Sequence, residues 1–270
     1  MECKNWPVGV CSWSLQTDIE GVAATMKRIG LEHVHLGIRG AVEDPQVLAD
    51  IEDQDWTITA TMIDFPQEDY STLDAIKVTG GIVPDDCWEL NRKLFIGAAD
   101  KTAILGVEYL SMHAGFIDES NRAHARKLHN RIKRLADTAA ENNLTLLLET
   151  GQETAGELRS FLEKLDHPAV GVNFDPANII LYDKGDPIEA LCTLAPWIKH
   201  LHVKDATRTK VPGTWGAEVP WGNGEVGIVA FITALDEIGF DGAMAIEREA
   251  GNDRPGDIAL AADRLRDICG

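Results

Sequence analysis

The stretch LTLLLET, at residues 144–150, is a short apolar run that ends in a carboxylate, Glu149. A run of this length, with leucines on both faces, is typical of a strand buried in a parallel sheet. Helical patterns flank it at residues 119–142 and 154–165, and the second begins with the capping-box sequence TAGE. A helix, a strand and another helix in succession indicate an α/β fold.

Seven other short apolar runs alternate with helical patterns along the chain. The predicted strands are residues 7–13, 33–38, 57–65, 107–113, 144–150, 170–176, 198–204 and 242–248. The predicted helices are residues 18–29, 85–105, 119–142, 154–165, 186–195, 227–238 and 257–268. Strands separated by helices predict right-handed crossovers and a parallel sheet. Eight strands in 270 residues predict a closed (β/α)₈ TIM barrel, with one domain over residues 1–270.

A doubly wound nucleotide-binding sheet is the main alternative fold. Such a sheet would place a G-x-G-x-x-G loop after its first strand. The first predicted strand runs instead into CSWSL at residues 11–15, which contains no glycine. The barrel is therefore the preferred prediction.

The composition is that of an ordinary folded protein with a strongly acidic balance. Hydrophobic residues make up 44% and charged residues 26%, and 44 acidic against 25 basic residues give a formal net charge of −19. This charge argues against nucleic acid and against an anionic membrane as partners, because both are bound through clusters of Lys and Arg. No apolar run is long enough to cross a bilayer and no signal-peptide pattern is visible, so we expect a cytoplasmic protein.

The five cysteines are widely spread and form no C-x-x-C pair. They are Cys3, Cys11, Cys87, Cys192 and Cys269. An odd number of cysteines without close pairs indicates neither a disulfide framework nor a thiolate zinc site. We therefore expect five free thiols in a reducing compartment.

Polar residues interrupt the last four predicted strands near their C-terminal ends, where barrel enzymes build their active sites. These residues are Glu149, Asp175, His202 and Glu247, on strands five to eight. Neighbouring strands bring such positions towards one centre, where a divalent cation would offset the cost of burying three carboxylates. Three carboxylates and one imidazole suit Mn²⁺, which we expect first, or Mg²⁺ or Co²⁺, with Zn²⁺ as a further alternative.

The motifs around these residues resemble those of the xylose isomerase-like TIM barrels. The motifs are ETG at 149–151, NFDPAN at 173–178, HLHVKD at 200–205 and AIE at 245–247. This family includes ketose 3-epimerases, hydroxypyruvate isomerases, inosose dehydratases and endonuclease IV. The resemblance implies a small carbohydrate as substrate and Glu149, Asp175, His202 and Glu247 as metal ligands. It also implies that Glu149 and Glu247 are the catalytic residues, which exchange a proton on opposite faces of the sugar.

Five further residues are predicted to contact the substrate. Arg208 matches a substrate-binding arginine of the ketose 3-epimerases, and Asn178 stands where those enzymes have a histidine. His113 resembles a ligand of endonuclease IV, and Lys204 shares the inward face of its strand with His202. Trp13, after the first strand, would form either a wall for a sugar ring or ordinary packing at the barrel mouth.

The expected function is that of a metal-dependent sugar isomerase or epimerase, which transfers a proton through a metal-stabilised enediolate. A dehydratase of the inosose-dehydratase type is the alternative, and an endonuclease IV-like enzyme is a further one. Asn178 and Ala155 depart from the ketose 3-epimerase pattern, so the sequence leaves the substrate open. Most of the extra histidines of endonuclease IV are missing. The oligomeric state is also open, and a homo-oligomer is compatible with the sequence.

Some segments carry two interpretations. The insertion at residues 207–225 would form either a lid, through Trp215 and Trp221, or a plain folded loop. His200 lies deeper in the barrel than His202 and is expected to be structural. His35 has no partner motif, so no role is predicted for it.

Overall fold

Eight parallel strands close into a barrel in the computed structural model, which describes residues 1–270. The strands of the structure are β1 (Glu2–Cys3), β2 (Trp6–Cys11), β3 (His33–Gly37), β4 (Thr57–Met62), β5 (Tyr109–Met112), β6 (Thr145–Glu149), β7 (Val170–Phe174), β8 (Ile198–Val203), β9 (Asp205–Thr207), β10 (Ala217–Val219) and β11 (Ala243–Ile246). The barrel order is β2, β3, β4, β5, β6, β7, β8 and β11, and β11 pairs with β2 to close the ring. The predicted fold class is thus confirmed.

Helices surround the barrel and cover the outward faces of its strands. They are α1 (Ile19–Ile29), α2 (Arg39–Glu43), α3 (Pro45–Glu52), α4 (Leu73–Thr79), α5 (Trp88–Ile104), α6 (Arg122–Glu141), α7 (Ala155–Leu165), α8 (Pro176–Leu181), α9 (Pro187–Leu194), α10 (Ile228–Glu237) and α11 (Arg254–Cys269). All seven predicted helices are present, and Thr154 and Glu157 form the predicted capping box. The sequence analysis missed α2, α3, α4 and α8, which are five to eight residues long and so give only a weak periodic signal.

Polar side chains fill much of the barrel interior beneath its C-terminal mouth. They include His35, Ser111, Asn173, His200 and His202, all fully buried. They are also hydrogen-bonded, as buried polar groups must be: for example, His200 Nδ1 lies 2.9 Å from Asn173 Oδ1. His200 therefore has the structural position that was expected. The apolar residues that alternate with these polar ones face the helices, so the core is mainly a layer between barrel and helices.

The insertion at residues 207–225 is a folded segment that begins with the β9–β10 hairpin. Asp205 organises it by accepting hydrogen bonds from the backbone N–H groups of Ala206, Gly222, Gly224 and Val226. Gly224 lies so close that an added Cβ would be 2.2 Å from Asp205 Oδ1. The sequence left open whether this insertion forms a lid or a plain folded loop. Its two tryptophans have different environments, which bear on that question.

Trp221 is buried in the core and packs edge-on against Phe231, with 6.1 Å between ring centroids. It is therefore not part of a lid. Trp215 is half-buried and packs against Tyr182, with 4.7 Å between ring centroids. This contact places Trp215 over the C-terminal mouth of the barrel, where it lines a cavity.

A disulfide joins Cys3 of β1 to Cys269 of α11, whose Cα atoms lie 5.1 Å apart. The expectation of five free thiols is therefore wrong for these two, whereas Cys11, Cys87 and Cys192 are free. The spacing of cysteines along the chain cannot reveal this pair, because only closure of the barrel brings the two chain ends together. None of the helices combines the length and apolarity that a membrane span requires.

We expect the Cys3–Cys269 disulfide to stabilise the fold, because it closes a loop with a sequence separation of 266 residues. Reduction should lower the free energy of unfolding by about 2–5 kcal/mol. Denaturant unfolding with and without a reducing agent measures this difference. Cys3→Ser should behave like the reduced protein, and Cys192→Ser, which changes an exposed free thiol, is the control. Identical unfolding curves for the oxidised and reduced wild type would contradict the expected stabilisation.

Candidate metal centre

Four neighbouring strands direct one side chain each towards a common point at the barrel mouth. Glu149 is the last residue of β6, Asp175 follows β7, His202 lies in β8 and Glu247 follows β11. Each offers a ligand atom, and these atoms all lie within 4.8 Å of one another. All four residues are at most 5% exposed. The structure thus brings together the four residues that the sequence motifs singled out.

Two atoms at this centre are buried without a hydrogen-bond partner, and both can bind a cation. Asp175 Oδ1 accepts hydrogen bonds from the backbone N–H groups of Ala177 and Asn178, at 2.8 and 3.0 Å. Its other oxygen, Oδ2, has no partner, and neither has His202 Nδ1, which lies 3.6 Å away. Buried polar atoms without partners are costly. Their convergence, together with the carboxylate-rich donor set, fits a divalent metal ion.

A chain of hydrogen bonds beneath the centre fixes which nitrogen of His202 faces the carboxylates. Ser111 Oγ donates to the carbonyl oxygen of Thr61 at 3.0 Å, so it accepts from His35 Nε2 at 2.9 Å. Burial holds the pKa of His35 well below its usual range, so this ring is neutral. His35 Nδ1 is then an acceptor, and His202 Nε2 donates to it across 3.0 Å. Nδ1 is thus the ring nitrogen of His202 that faces the three carboxylates and the metal position.

Glu247 is held on both of its oxygens. Trp13 Nε1 donates to Oε1 at 2.7 Å, and Lys204 Nζ donates to Oε2 at 2.8 Å. Burial tends to raise the pKa of the Glu247 carboxyl, but Lys204 and His202 outweigh it and hold this pKa well below its usual range. Glu247 is therefore an ionised, rigidly placed carboxylate.

Glu149, on the other side of the centre, is surrounded by amides and a histidine. Asn173 Nδ2 donates to Oε2 and Asn178 Nδ2 donates to Oε1, both at 3.1 Å. His113 Nε2 lies 3.5 Å from Oε1. Burial tends to raise the pKa of Glu149, but His113 and His202 outweigh this effect and lower it. The two glutamates thus differ, because only Glu247 is paired with a lysine.

A cavity of about 850 Å³ opens above the centre. Five of the predicted site residues line it: Trp13, His113, Asn178, Lys204 and Glu247. Lys204 is buried and also lies 3.0 Å from Glu249 and 3.5 Å from Asp175. These carboxylates outweigh the effect of burial and raise the pKa of Lys204 well above its usual range, so its ammonium is charged and already paired.

Arg208 does not line the cavity. Its guanidinium contacts the backbone oxygen of Gly185 and lies 3.2 Å from Asp183 and 3.7 Å from Glu225. These acceptors lie in the α8–α9 loop and at the end of the insertion, so they direct the side chain away from the metal centre. The predicted substrate contact of Arg208 therefore does not fit this arrangement.

The sequence analysis also missed residues that line the cavity. They are Arg39, Asp64, Phe65, Glu68, Tyr70, Leu181, Tyr182, Glu218 and Glu249, together with smaller or apolar neighbours. Glu249 could have been predicted from the sequence. It lies two residues after Glu247, so in an extended chain both side chains point to the same side. Asp64, Glu68 and Tyr70 lie in the loop after β4. They could also have been found, because the loops that follow the strands of such barrels form the active site.

Comparisons of the sequence and of the structure with known proteins indicate the same family. The family profile described as "Xylose isomerase-like TIM barrel" matches residues 19–268. A xylose isomerase domain protein from Planctomyces limnophilus has a similar structure, with a TM-score of 0.89 and 30% identity over 98% of this chain and 97% of that one. A xylose isomerase-like TIM barrel protein from Mycobacterium smegmatis, solved in complex with magnesium, has a TM-score of 0.74 and 17% identity, over 100% and 98% of the two chains. At that identity the likeness shows the fold alone.

Curated relatives match over shorter stretches. The 3-dehydroshikimate dehydratase of Bacillus anthracis is 38% identical over 81 residues, which is 28% of this chain and 28% of that protein. The uncharacterised protein YihM of Escherichia coli is 32% identical over 114 residues, or 42% of this chain and 35% of that protein. The matched stretches thus span about a third or less of these relatives.

We expect His35 to support metal binding through His202, although it cannot touch the ion itself. His35→Ala should weaken the affinity for Mn²⁺ by roughly 10–100-fold, because it leaves His202 without the acceptor that orients it. Isothermal titration calorimetry measures this affinity. His35→Asn retains an acceptor near the position of Nδ1 and should recover part of the loss.

His129→Ala changes a histidine on the outer helix α6 and is the matched control for this series. It should bind Mn²⁺ as the wild type does. If His35→Ala, shown to be folded by circular dichroism, bound Mn²⁺ as tightly as the wild type, the hydrogen-bond chain would have no part in metal binding.

Proposed function

Because the chain belongs to the xylose isomerase-like TIM barrel family, we propose that it is a metal-dependent sugar isomerase or epimerase. Its reaction would move a proton at a carbon atom next to a carbonyl group of a small carbohydrate. The observation that carries this proposal is the position of Glu149 and Glu247 on opposite sides of one centre. Asp175 and His202 lie on the two strands between them.

The four converging residues would hold the ion, and Mn²⁺ is the proposed metal. A divalent cation at this position supplies a Lewis acid that polarises the substrate carbonyl group. The geometry of the site also fits Mg²⁺ and Co²⁺, which prefer the same oxygen-rich ligands. Asp175 and His202 provide the two unpaired ligand atoms, and the contact with His35 orients the His202 ring so that Nδ1 faces the other ligands.

The two glutamates would take up and return the proton. In an epimerisation one ionised carboxylate would remove the proton from one face of the carbon atom. The other, after taking up a proton from solvent, would deliver it to the opposite face. Lys204 and Trp13 hold Glu247 in place through its two oxygens, while Asn173 and Asn178 hold Glu149. Carboxylates fixed in this way need little reorganisation when the substrate arrives.

The cavity walls would position the sugar and keep water away from the reacting carbon atom. Trp13 covers Glu247 and packs edge-on against His202, with 5.9 Å between ring centroids. His113 has a buried Nδ1 without a hydrogen-bond partner, and its Nε2 lies close to Glu149. His113 lines the cavity, so its ring would form part of the wall against the bound sugar.

A dehydratase is the second candidate function. It is favoured by the 38% identity to part of the 3-dehydroshikimate dehydratase of Bacillus anthracis. Elimination of water begins with the same proton removal next to a carbonyl group and then expels a hydroxide ion instead of returning a proton. Mass spectrometry separates the two reactions, since a dehydratase product is lighter by one water molecule and an epimerisation product has unchanged mass.

The proposed proton transfer predicts exchange with solvent. The Mn²⁺-loaded protein, incubated in D₂O with a panel of ketoses and keto-glycosides, should incorporate deuterium at the carbon next to the carbonyl group of its substrate. Nuclear magnetic resonance detects the exchanged position. Glu149→Gln and Glu247→Gln should each lower the rate by roughly 10²–10⁴-fold, because each removes a proton-transfer group.

Glu163→Gln is the control for these substitutions, because Glu163 lies on the outer helix α7 and pairs with Arg159 at 2.8 Å. It should exchange deuterium at the wild-type rate. Normal exchange by either Glu149→Gln or Glu247→Gln would contradict the assigned roles.

A further inference from the structure

The charge and the shape of the cavity point to a particular class of substrate. We propose that the substrate is uncharged and contains two rings, namely a keto-sugar unit at the metal centre and a second, glycosidically linked ring at the cavity mouth. This inference rests on the proposed function, because it assumes that the cavity holds a carbohydrate. Two independent observations support it.

The first observation is that the cavity offers no free cation to an anionic group. Only two of its lining residues are Lys or Arg, and both are already paired. Arg39 contacts Asp64 and lies 3.7 Å from Glu43. Lys204 lies within 3.0 Å of both Glu247 and Glu249. A phosphate or carboxylate group would have to compete with Asp64 for Arg39, or displace Lys204 from Glu247, which would then be buried without its partner.

Carboxylates outnumber cations along the cavity even if one divalent ion is added. Besides the partners of Arg39 and Lys204, the walls contain Glu68 and Glu218. Glu68 accepts backbone hydrogen bonds from Phe65 and Gly81, at 3.0 and 2.9 Å; burial raises the pKa of its carboxyl, and these bonds limit the rise. Glu218 pairs with Arg248 at 2.7 Å. His113, the remaining group that can become positive, already faces Glu149.

This charge distribution also separates the two candidate reactions. The compound 3-dehydroshikimate carries a carboxylate, which an enzyme normally binds with an arginine or lysine. No such residue is free in this cavity. The cavity is therefore poorly suited to 3-dehydroshikimate, despite the short similarity to the dehydratase of Bacillus anthracis. A neutral sugar or glycoside suits the charge of the cavity better.

The second observation is that the cavity is larger than one sugar ring and has an aromatic mouth. Its volume of about 850 Å³ lies near the upper end of the roughly 300–1,000 Å³ that is typical of small-molecule sites. Besides the polar residues at the metal centre, the larger apolar and aromatic residues Phe65, Tyr70, Leu181, Tyr182 and Trp215 line the cavity. Aromatic rings pack well against the C–H faces of sugars, and their polar edges hydrogen-bond hydroxyl groups.

Trp215 is held in position for such a contact. It packs against Tyr182, and the N–H of the next residue, Gly216, donates to the carbonyl oxygen of Leu181 at 3.1 Å. Trp215 lines the cavity, and an aromatic ring held in place there is the reason to assign the outer ring to it.

Binding of three kinds of probe to the Mn²⁺-loaded protein tests the inference, with calorimetry as the measurement. D-fructose is uncharged with one ring, D-fructose 6-phosphate is anionic, and lactulose and maltulose are uncharged disaccharides that end in fructose. We expect one of the disaccharides to bind at least about tenfold more tightly than fructose, and the phosphate to bind more weakly than fructose. Equal or tighter binding of the phosphate, or no gain from the second ring, would overturn the inference.

Two substitutions test the two observations separately. Asp64→Asn removes the partner of Arg39 and should raise the affinity for D-fructose 6-phosphate by about tenfold relative to that for fructose. Trp215→Ala should lower the ratio of disaccharide to fructose affinity by about fivefold to tenfold. Val211→Ala, in the same β9–β10 segment but exposed and outside the cavity, should change neither ratio. An unchanged ratio in Asp64→Asn or in Trp215→Ala would contradict the corresponding argument.

Deuterium exchange distinguishes failure of this inference from failure of the proposed function. Exchange into fructose without any preference for a disaccharide would overturn the inference and leave the proposed function intact. Tight binding of a disaccharide without exchange into it or any ketose would overturn the proposed function and leave the conclusion about charge and size intact.

Discussion

Three carboxylates and an imidazole share one buried point at the mouth of this barrel, and the rest of the site depends on how their charge is balanced. Glu149, Asp175 and Glu247 would repel one another strongly in a region without water. The ammonium group of Lys204 offsets part of that repulsion, because it is paired with Glu247 and Glu249. The unpaired atoms of Asp175 and His202 face the same point, where a divalent cation would supply the remaining positive charge.

The interior of the barrel is organised around this requirement. A barrel of this kind is usually filled by branched apolar side chains, but here histidines, a serine and an asparagine lie directly beneath the centre. The chain from Thr61 through Ser111 and His35 fixes the orientation of His202. Polar residues in the core therefore hold the ligand set in place, and the apolar core that stabilises the fold lies outside the strands, against the helices.

The sequence predicts the fold and the four converging residues because both depend on short-range patterns. Glu149, Asp175, His202 and Glu247 each interrupt an apolar strand. Side chains alternate between the two faces of a strand, and this alternation decides which of them point into the barrel. The role of His35, the disulfide between Cys3 and Cys269 and the pairing of Arg39 with Asp64 could not be predicted in the same way. His35 and Cys3 meet their partners only when the barrel closes, and Arg39 meets Asp64 through the pairing of β3 with β4. The predicted contact of Arg208 does not fit for the same reason, since acceptors from the α8–α9 loop hold its side chain.

The most direct test of the central claim is a crystal structure of the protein grown with Mn²⁺, with anomalous diffraction measured to locate the metal. We expect a single strong anomalous peak at the barrel mouth, within bonding distance of carboxylate oxygens of Glu149, Asp175 and Glu247 and of His202 Nδ1. A well-ordered barrel that contained no peak at this point, with the four side chains directed apart, would contradict the account of the site.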